Sequence, residues 1–322
     1  MTAVPWPVPT FADVLAARRR IARFLRPTPL RSYPELDELI GASVHVKHEN
    51  HQPTGAFKIR GGLNLVAQLS DDERARGLIA ASTGNHGQSV AFAAREFGVH
   101  ARICVPEHAN PVKVAAMRQL GAELIAHGEN FDAAREHAER LTAEHGYRYV
   151  HSGNEPDLIA GVATETLEML EEQPDLDTLI VPVGGGSGAA GACIVAKAVD
   201  PAIRVIAVQS DAAPAAYRSW QRGTLVAAAD RTYAEGLATG SAFALPQAIM
   251  RELLDDFVLV GDDQIRAAQR TLIEATRNLV ESAGAAPLAA AVALAPELRG
   301  RCVGLVASGG NVSRQQLLEI LT

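Results

Sequence analysis

The chain has 322 residues, which suits two domains around one cleft as well as one large domain. At 48% hydrophobic and 21% charged residues its composition is that of a folded globular protein and excludes a disordered one. The net charge of −7, from 30 basic and 37 acidic side chains with no basic run beyond Arg18-Arg19-Arg20, argues against a nucleic-acid footprint.

Residues 1–10 lack the segments of a signal peptide and no apolar run reaches membrane-spanning length, so a cytoplasmic protein without membrane contact is expected. Thr10 and Asp13 have capping-box spacing ahead of Val14, Leu15, Ile21 and Phe24, predicting a first helix from Thr10 that Pro27-Thr28-Pro29 ends. Short β-rich runs then alternate with helical patterns, at residues 44–47, 77–81, 101–105, 123–126, 178–183, 204–208, 257–260 and 302–307. That alternation predicts an α/β fold of mostly parallel sheets covered by helices. Phe131, Ala134, Ala138 and Leu141 predict a helix stopping at Gly146; Ile265, Ala268, Leu272, Ala275 and Leu279 predict another after Asp262. Cys104, Cys193 and Cys302 are far apart, lie in apolar stretches and lack zinc-ligand spacing, so buried thiols in a reducing compartment are expected.

Four strand-to-helix junctions are rich in small polar residues. In Pro53-Thr54-Gly55-Ala56-Phe57-Lys58 a lysine follows a turn between apolar neighbours. Buried, it would have a lowered pKa and suit Schiff-base chemistry; exposed, it would be an ordinary surface lysine. Ser82-Thr83-Gly84-Asn85-His86-Gly87-Gln88 puts hydroxyls, an amide and glycines at a helix start, where a carboxylate binds well or a turn is merely capped. Gly184-Gly185-Gly186-Ser187-Gly188 after a strand is a phosphate cradle. The same loop matches a dinucleotide fingerprint through Gly186, Gly188 and Gly191, with Asp211 where a ribose-binding acid belongs, so a nicotinamide-dependent oxidoreductase is a rival reading from spacing alone. Ser308-Gly309-Gly310-Asn311 is the fourth junction, and one polar ligand at the carboxyl ends of the strands would account for all four.

Taken together, Thr28-Pro29-Leu30, Lys47-His48-Glu49-Asn50, the segment from Gln52 to Gly61, Ser82 to Gln88, the glycine loop and Ser308 to Asn311 closely resemble the fold type II pyridoxal-phosphate enzymes, tryptophan synthase β-like in fold. The specific likeness is to the threonine/serine dehydratase and serine racemase group, and it covers nearly the whole chain. It implies a large cofactor-binding domain from residues 1–75 and 151–322, a small mobile domain at 76–150, and a homodimer. It further implies that Lys58 carries the cofactor as a Schiff base and then takes the substrate's α-proton. Phe57 would flank the pyridine ring, Asn85 would meet its phenolic oxygen, Gly184, Gly185, Gly186, Ser187 and Gly188 would hold the phosphate, Gly236 would lie beside the cofactor, and Ser308 would face the ring nitrogen. Ser82, Thr83, Asn85 and His86 would take the substrate carboxylate, with Arg135 as a closing clamp.

A serine at the ring nitrogen supplies no charge, which favours β-elimination over reactions through a long-lived carbanion. The implied activity is therefore dehydration and deamination of L-threonine, L-serine or a similar small β-hydroxy-amino acid to a 2-oxo acid and ammonia. Thr83 stands where related racemases carry a serine that protonates the opposite face, which weakens racemisation without removing it as an alternative; a catalytically silent relative is a further one. Gln209 and Ala215 occupy the places of acidic ligands in cation-binding relatives, so no structural metal is expected there. Ser152-Gly153-Asn154 departs from common threonine dehydratases and suggests a roomier or more polar side-chain pocket, as in hydroxyectoine-utilisation dehydratases. About a dozen residues follow Asn311, so isoleucine feedback through a C-terminal regulatory domain is not expected.

Overall fold

The computed structural model describes residues 4–321. Its ten strands are β1 (Leu30–Ser32), β2 (Ser43–His48), β3 (Leu78–Ala81), β4 (Ala101–Val105), β5 (Glu123–Ala126), β6 (Arg148–Tyr149), β7 (Thr178–Pro182), β8 (Arg204–Ser210), β9 (Asp256–Val260) and β10 (Cys302–Ala307). They form a six-stranded sheet ordered β1-β2-β10-β7-β8-β9 and a four-stranded sheet ordered β5-β4-β3-β6. Every ladder is parallel except β1 on β2.

All eight predicted runs form strands, with ends that move by two residues at most. The two unpredicted strands, β1 and β6, have three and two residues and so carry no readable period. Pairing with β2 and β3 creates them.

Successive residues of the large sheet enter opposite cores, as the two-residue period of a strand requires. Leu179, Val181, Val205 and Ala207 pack under the helices Phe11–Ile21, Thr164–Glu172, Ser187–Val199 and Ala244–Leu253. Ile180, Ile206, Val208, Val44 and Val46 pack under Pro34–Ile40, Asp262–Thr276 and Ser282–Ala293. Both faces are covered, which is why these strands read as unbroken apolar runs. Each fully buried aliphatic side chain contributes about 1.5–3 kcal/mol of transfer free energy.

The first helix has the predicted capping box, Thr10 Oγ1 accepting from the Asp13 N–H and the Asp13 carboxylate from the Thr10 N–H. It ends at Ile21, ahead of the prolines. Phe24 and Leu25 turn their N–H groups back to the Ile21 carbonyl, and Phe24 leaves the helix to pack on Phe97, ring centres 5.2 Å apart. The helix Phe131–His145 stops on the left-handed Gly146 as predicted. The helix Asp262–Thr276 ends on the left-handed Arg277, leaving Leu279 outside it and exposed. Cys104 and Cys193 are buried thiols; Cys302 is only partly buried.

A buried ion network anchors the helix Lys58–Val66. Arg60, fully buried, donates to both Glu49 oxygens at 2.8 Å and both Glu168 oxygens at 2.7 Å. Lys47 Nζ, equally buried, donates to Glu168 at 2.7 Å and to the Thr28 carbonyl at 2.8 Å. The other side of this helix shares one apolar core with β3, β4 and the helix Asn85–Glu96. It thus spans the junction between the two sheets, and Lys58 is its first residue.

Candidate active site

The carboxyl ends of β2, β3, β7 and β10 open on one cleft of about 960 Å³. Phe57, Lys58, Ser82, Thr83, Asn85, His86, Arg135, Gly184, Gly185, Gly186, Ser187, Gly188, Gly236 and Ser308 all line it. Residues as far apart in the sequence as Phe57 and Ser308 therefore meet at one place.

Lys58 does not snorkel to the surface. Its Nζ turns inward, donating to Ser187 Oγ at 2.7 Å and to the Ser152 carbonyl at 2.9 Å, 5.2 Å from the centre of the Phe57 ring. Burial lowers its pKa from 10.5 to about 8, against the opposing field of Glu165. Glu165 is itself buried with no partner for either carboxyl oxygen, and burial, then the charge of Glu49, pushes its pKa well up.

The glycine loop leaves β7 and enters the helix Ser187–Val199. Gly186 sits at φ +88°, a left-handed conformation that glycine adopts at least cost. Any side chain at Gly184 would collide with the Gly236 carbonyl, and any at Gly185 with the Phe243 ring. Among the described residues, the N–H groups of Gly185, Gly186, Ser187 and Gly188 meet no acceptor. Unspent donors at a helix N-terminus, on a loop too tight for side chains, fit a phosphate group. With Lys58 2.7 Å from the same loop and Phe57 as an aromatic wall, the residues present fit pyridoxal phosphate.

The dinucleotide reading loses its second element here. Asp211 bonds through its N–H to the Val260 carbonyl and does not line the cleft, while Gly191 serves close packing, 2.9 Å from a Cβ position to Ala163 Cα.

On the facing wall Ser82 Oγ accepts from the N–H groups of Gly84 and Gly87 at 3.2 and 2.9 Å, tying down the turn. The N–H groups of Thr83, Asn85 and His86 have no acceptor among the described residues, and all three residues line the cleft, an arrangement that suits an anion. The His86 ring is committed elsewhere: Nε2 pairs with the Val150 carbonyl at 3.0 Å, Nδ1 is a bare acceptor, and burial lowers its pKa to about 3. What His86 offers a carboxylate is its backbone. Arg135 reaches the cleft while paired with Glu139 at 2.7 Å and flanked by Asp132 and Glu136 at 3.6 Å.

The segment 151–156 differs from its sequence reading. The room left by Gly153 is filled by Phe243, whose ring would lie 2.5 Å from a Cβ there and packs edge-on against His151 at 4.6 Å. Asn154 points into packing, its Oδ1 accepting from the Leu245 N–H at 3.1 Å. His151 Nδ1 accepts from the N–H groups of Gly153 and Asn154; burial, then the Lys58 charge, lowers its pKa to about 4. Phe243 lies some ninety residues away, so no local signal reveals it.

Glu281 was also unforeseen. It precedes the helix Ser282–Ala293, lines the cleft and accepts from Asn85 Nδ2 at 2.7 Å. At the rim, Lys113 forms an ion pair with Glu235, which also accepts from Gln316 at 2.9 Å.

Comparisons with known proteins agree with this geometry. A family model described as pyridoxal-phosphate dependent enzyme matches residues 21–309. The chain is 37% identical over 313 residues to an L-threonine ammonia-lyase of Thermotoga maritima, covering 97% of this chain and 78% of the relative. It is 35% identical over 316 residues to an L-threo-3-hydroxyaspartate ammonia-lyase of Saccharomyces cerevisiae, covering 98% and 97%. The crystal structure of serine racemase from Dictyostelium discoideum superimposes with a TM-score of 0.89 at 33% identity, covering 95% of this chain and 99% of that one. The nicotinamide alternative is thereby set aside: the chain belongs to the pyridoxal-phosphate-dependent enzymes of fold type II.

Proposed function

We propose that the protein is an ammonia-lyase that dehydrates and deaminates L-threonine, L-serine or a similar small β-hydroxy-amino acid to a 2-oxo acid and ammonia. One observation carries this reading: Lys58 Nζ, 2.7 Å from Ser187 Oγ on the glycine loop, shares a cleft with the unspent N–H groups of Thr83, Asn85 and His86. An amine base and a carboxylate site thus face one another across the space for an amino acid. The ammonia-lyase relatives support the same reaction class.

Bound through Lys58, pyridoxal phosphate supplies the electron sink that acidifies the substrate's α-proton. Gly184 to Gly188 would hold its phosphate, Phe57 and Gly236 would flank the ring, and Asn85 and Ser308 would offer hydrogen bonds to its polar edge. The Thr83, Asn85 and His86 N–H groups, with the Ser82 hydroxyl, orient the substrate carboxylate, and Arg135 closes on it by exchanging Glu139 for the substrate. Lys58, whose amine is partly neutral near pH 8, would take the α-proton. That proton is then available to leave with the β-hydroxyl as water. Ser308, an uncharged hydroxyl, would bring no charge to the cofactor, which would favour loss of the hydroxyl in step with the proton over a long-lived negative charge at Cα. The released enamine tautomerises and hydrolyses to 2-oxo acid and ammonia.

In this reading residues 76–150, which hold the entire four-stranded sheet, are the small domain that moves over the cleft, and the protein is a homodimer. The free cysteines favour a cytoplasmic setting. A second reading, racemisation, is favoured by the serine racemase likeness; Thr83, in the same cleft as Lys58, retains the hydroxyl it needs, while its added methyl group weakens it.

Purified protein is incubated with L-threonine, L-serine and L-threo-3-hydroxyaspartate, with 2-oxo acid measured by reduction in a coupled assay. Turnover of one or more, abolished in Lys58→Ala, is expected; no 2-oxo acid from any would overturn the lyase reading. Chiral chromatography of the recovered substrate decides the second reading.

A further inference from the structure

Glu281 occupies the N-cap position of the helix Ser282–Ala293, where a side chain ordinarily folds onto the first turn. Here no side-chain cap bond forms. The carboxyl instead lies over Gly309, where any Cβ would collide with Oε1, and beside Gly236, whose own Cβ position is 3.9 Å from that oxygen. It therefore reaches the cleft next to Ser308.

Its partner there is Asn85. Glu281 Oε1 accepts from Asn85 Nδ2 at 2.7 Å; Asn85 Oδ1 accepts from Asn311 Nδ2 at 2.7 Å; and Asn311 Nδ2 also donates to the Thr54 carbonyl at 2.9 Å. This relay leaves the Asn85 carboxamide one orientation. Flipped, its oxygen would oppose the Glu281 carboxylate and its nitrogen would oppose a donor. One N–H of Nδ2 is spent on Glu281, and the other is left for a ligand.

We propose that Glu281 is a positioning residue of the cofactor site: it holds the Asn85 amide so that an N–H faces the phenolic oxygen of pyridoxal phosphate, and when ionised it adds negative charge at that edge. This rests on the cofactor reading given above. The groups facing Glu281 are Lys113 on the helix Pro111–Gln119, Glu235 in the loop before Gly236, the Asn85 amide and the Asn311 backbone N–H. Burial raises its pKa to about 7, Lys113 and the Asn85 bond pull it down, and Glu235 raises it again. Its charge accordingly changes across neutral pH.

The test uses the holoenzyme. Visible absorption of wild type, Glu281→Gln and Glu281→Ala is recorded between pH 6 and 8.5, and cofactor affinity is measured by equilibrium dialysis. Wild type is expected to show a change in its visible band with a midpoint near 7, absent from Glu281→Gln. The glutamine still accepts from Asn85, so its cofactor affinity stays close to wild type. Glu281→Ala loses the acceptor and binds roughly tenfold more weakly, as for a hydrogen bond to a charged group. Adding Glu281→Ala to Asn85→Ala should cost nothing further. A midpoint that persists in Glu281→Gln, wild-type affinity in Glu281→Ala, or additive losses in the double variant would overturn the proposal. A wild-type protein with no visible band would instead overturn the cofactor reading.

Discussion

Raising the pH of protein stripped of its cofactor titrates Lys58, and the structure fixes where that titration falls. An amine with the ordinary pKa of 10.5 leaves roughly one molecule in 3,000 neutral at pH 7, whereas one at about 8 leaves roughly one in ten. Only the neutral amine attacks an aldehyde, so burial speeds cofactor capture at pH 7 by roughly 300-fold over an exposed lysine. Stopped-flow recording of the visible band after adding pyridoxal phosphate gives the rate directly. It should rise about tenfold from pH 6 to 7 and level off around pH 8. A rate that keeps climbing tenfold per unit to pH 10 would refute the claim that the cleft desolvates Lys58. Ser187→Ala, which removes the 2.7 Å hydroxyl partner of Nζ, should alter the midpoint, since the hydroxyl bonds to both forms of the amine unequally.

Gly184→Ala would drive a methyl group into the Gly236 carbonyl and should weaken cofactor binding by about 100-fold in equilibrium dialysis, with the far-ultraviolet circular dichroism unchanged. Arg60→Met would leave Glu49 and Glu168 facing each other without their cation. Urea unfolding should show a loss of about 3–5 kcal/mol, and a loss below about 1 kcal/mol would contradict the network. Acid should destabilise the fold through its buried histidines. Native His86 stays neutral down to about pH 3 while the unfolded chain takes the proton near 6.5, so this contribution is complete above pH 6.5 and declines as pH falls towards 3. The slope is about 1.4 kcal/mol per pH unit for each such group. His48 and His151, lowered to about 4 mainly by burial, act in the same direction, and urea midpoints between pH 4 and 7 should be flatter in His86→Asn.

Much of this protein is legible in one dimension. The central strands are apolar runs because both faces of their sheets are covered, so burial wrote itself into composition, whereas the edge strand β5 is only partly buried. The four ligand junctions are equally visible, because a loop that lets backbone N–H groups reach an anion must be built from glycine and small polar residues. The strands β1 and β6 carry no such signal, being too short for any period and formed only by pairing with β2 and β3.

The sequence by itself thus determined the α/β class, the phosphate loop and the lysine that faces it. Only the tertiary structure decided the state of those groups. Lys58 and the His86 ring have lowered pKa values because the fold buries them, and Gly153 opens no room because Phe243 enters from ninety residues away. Glu281 reaches Asn85 across 196 positions. Protonation and orientation depend on the sum of neighbours in space, and that sum has no counterpart in the local order of residues.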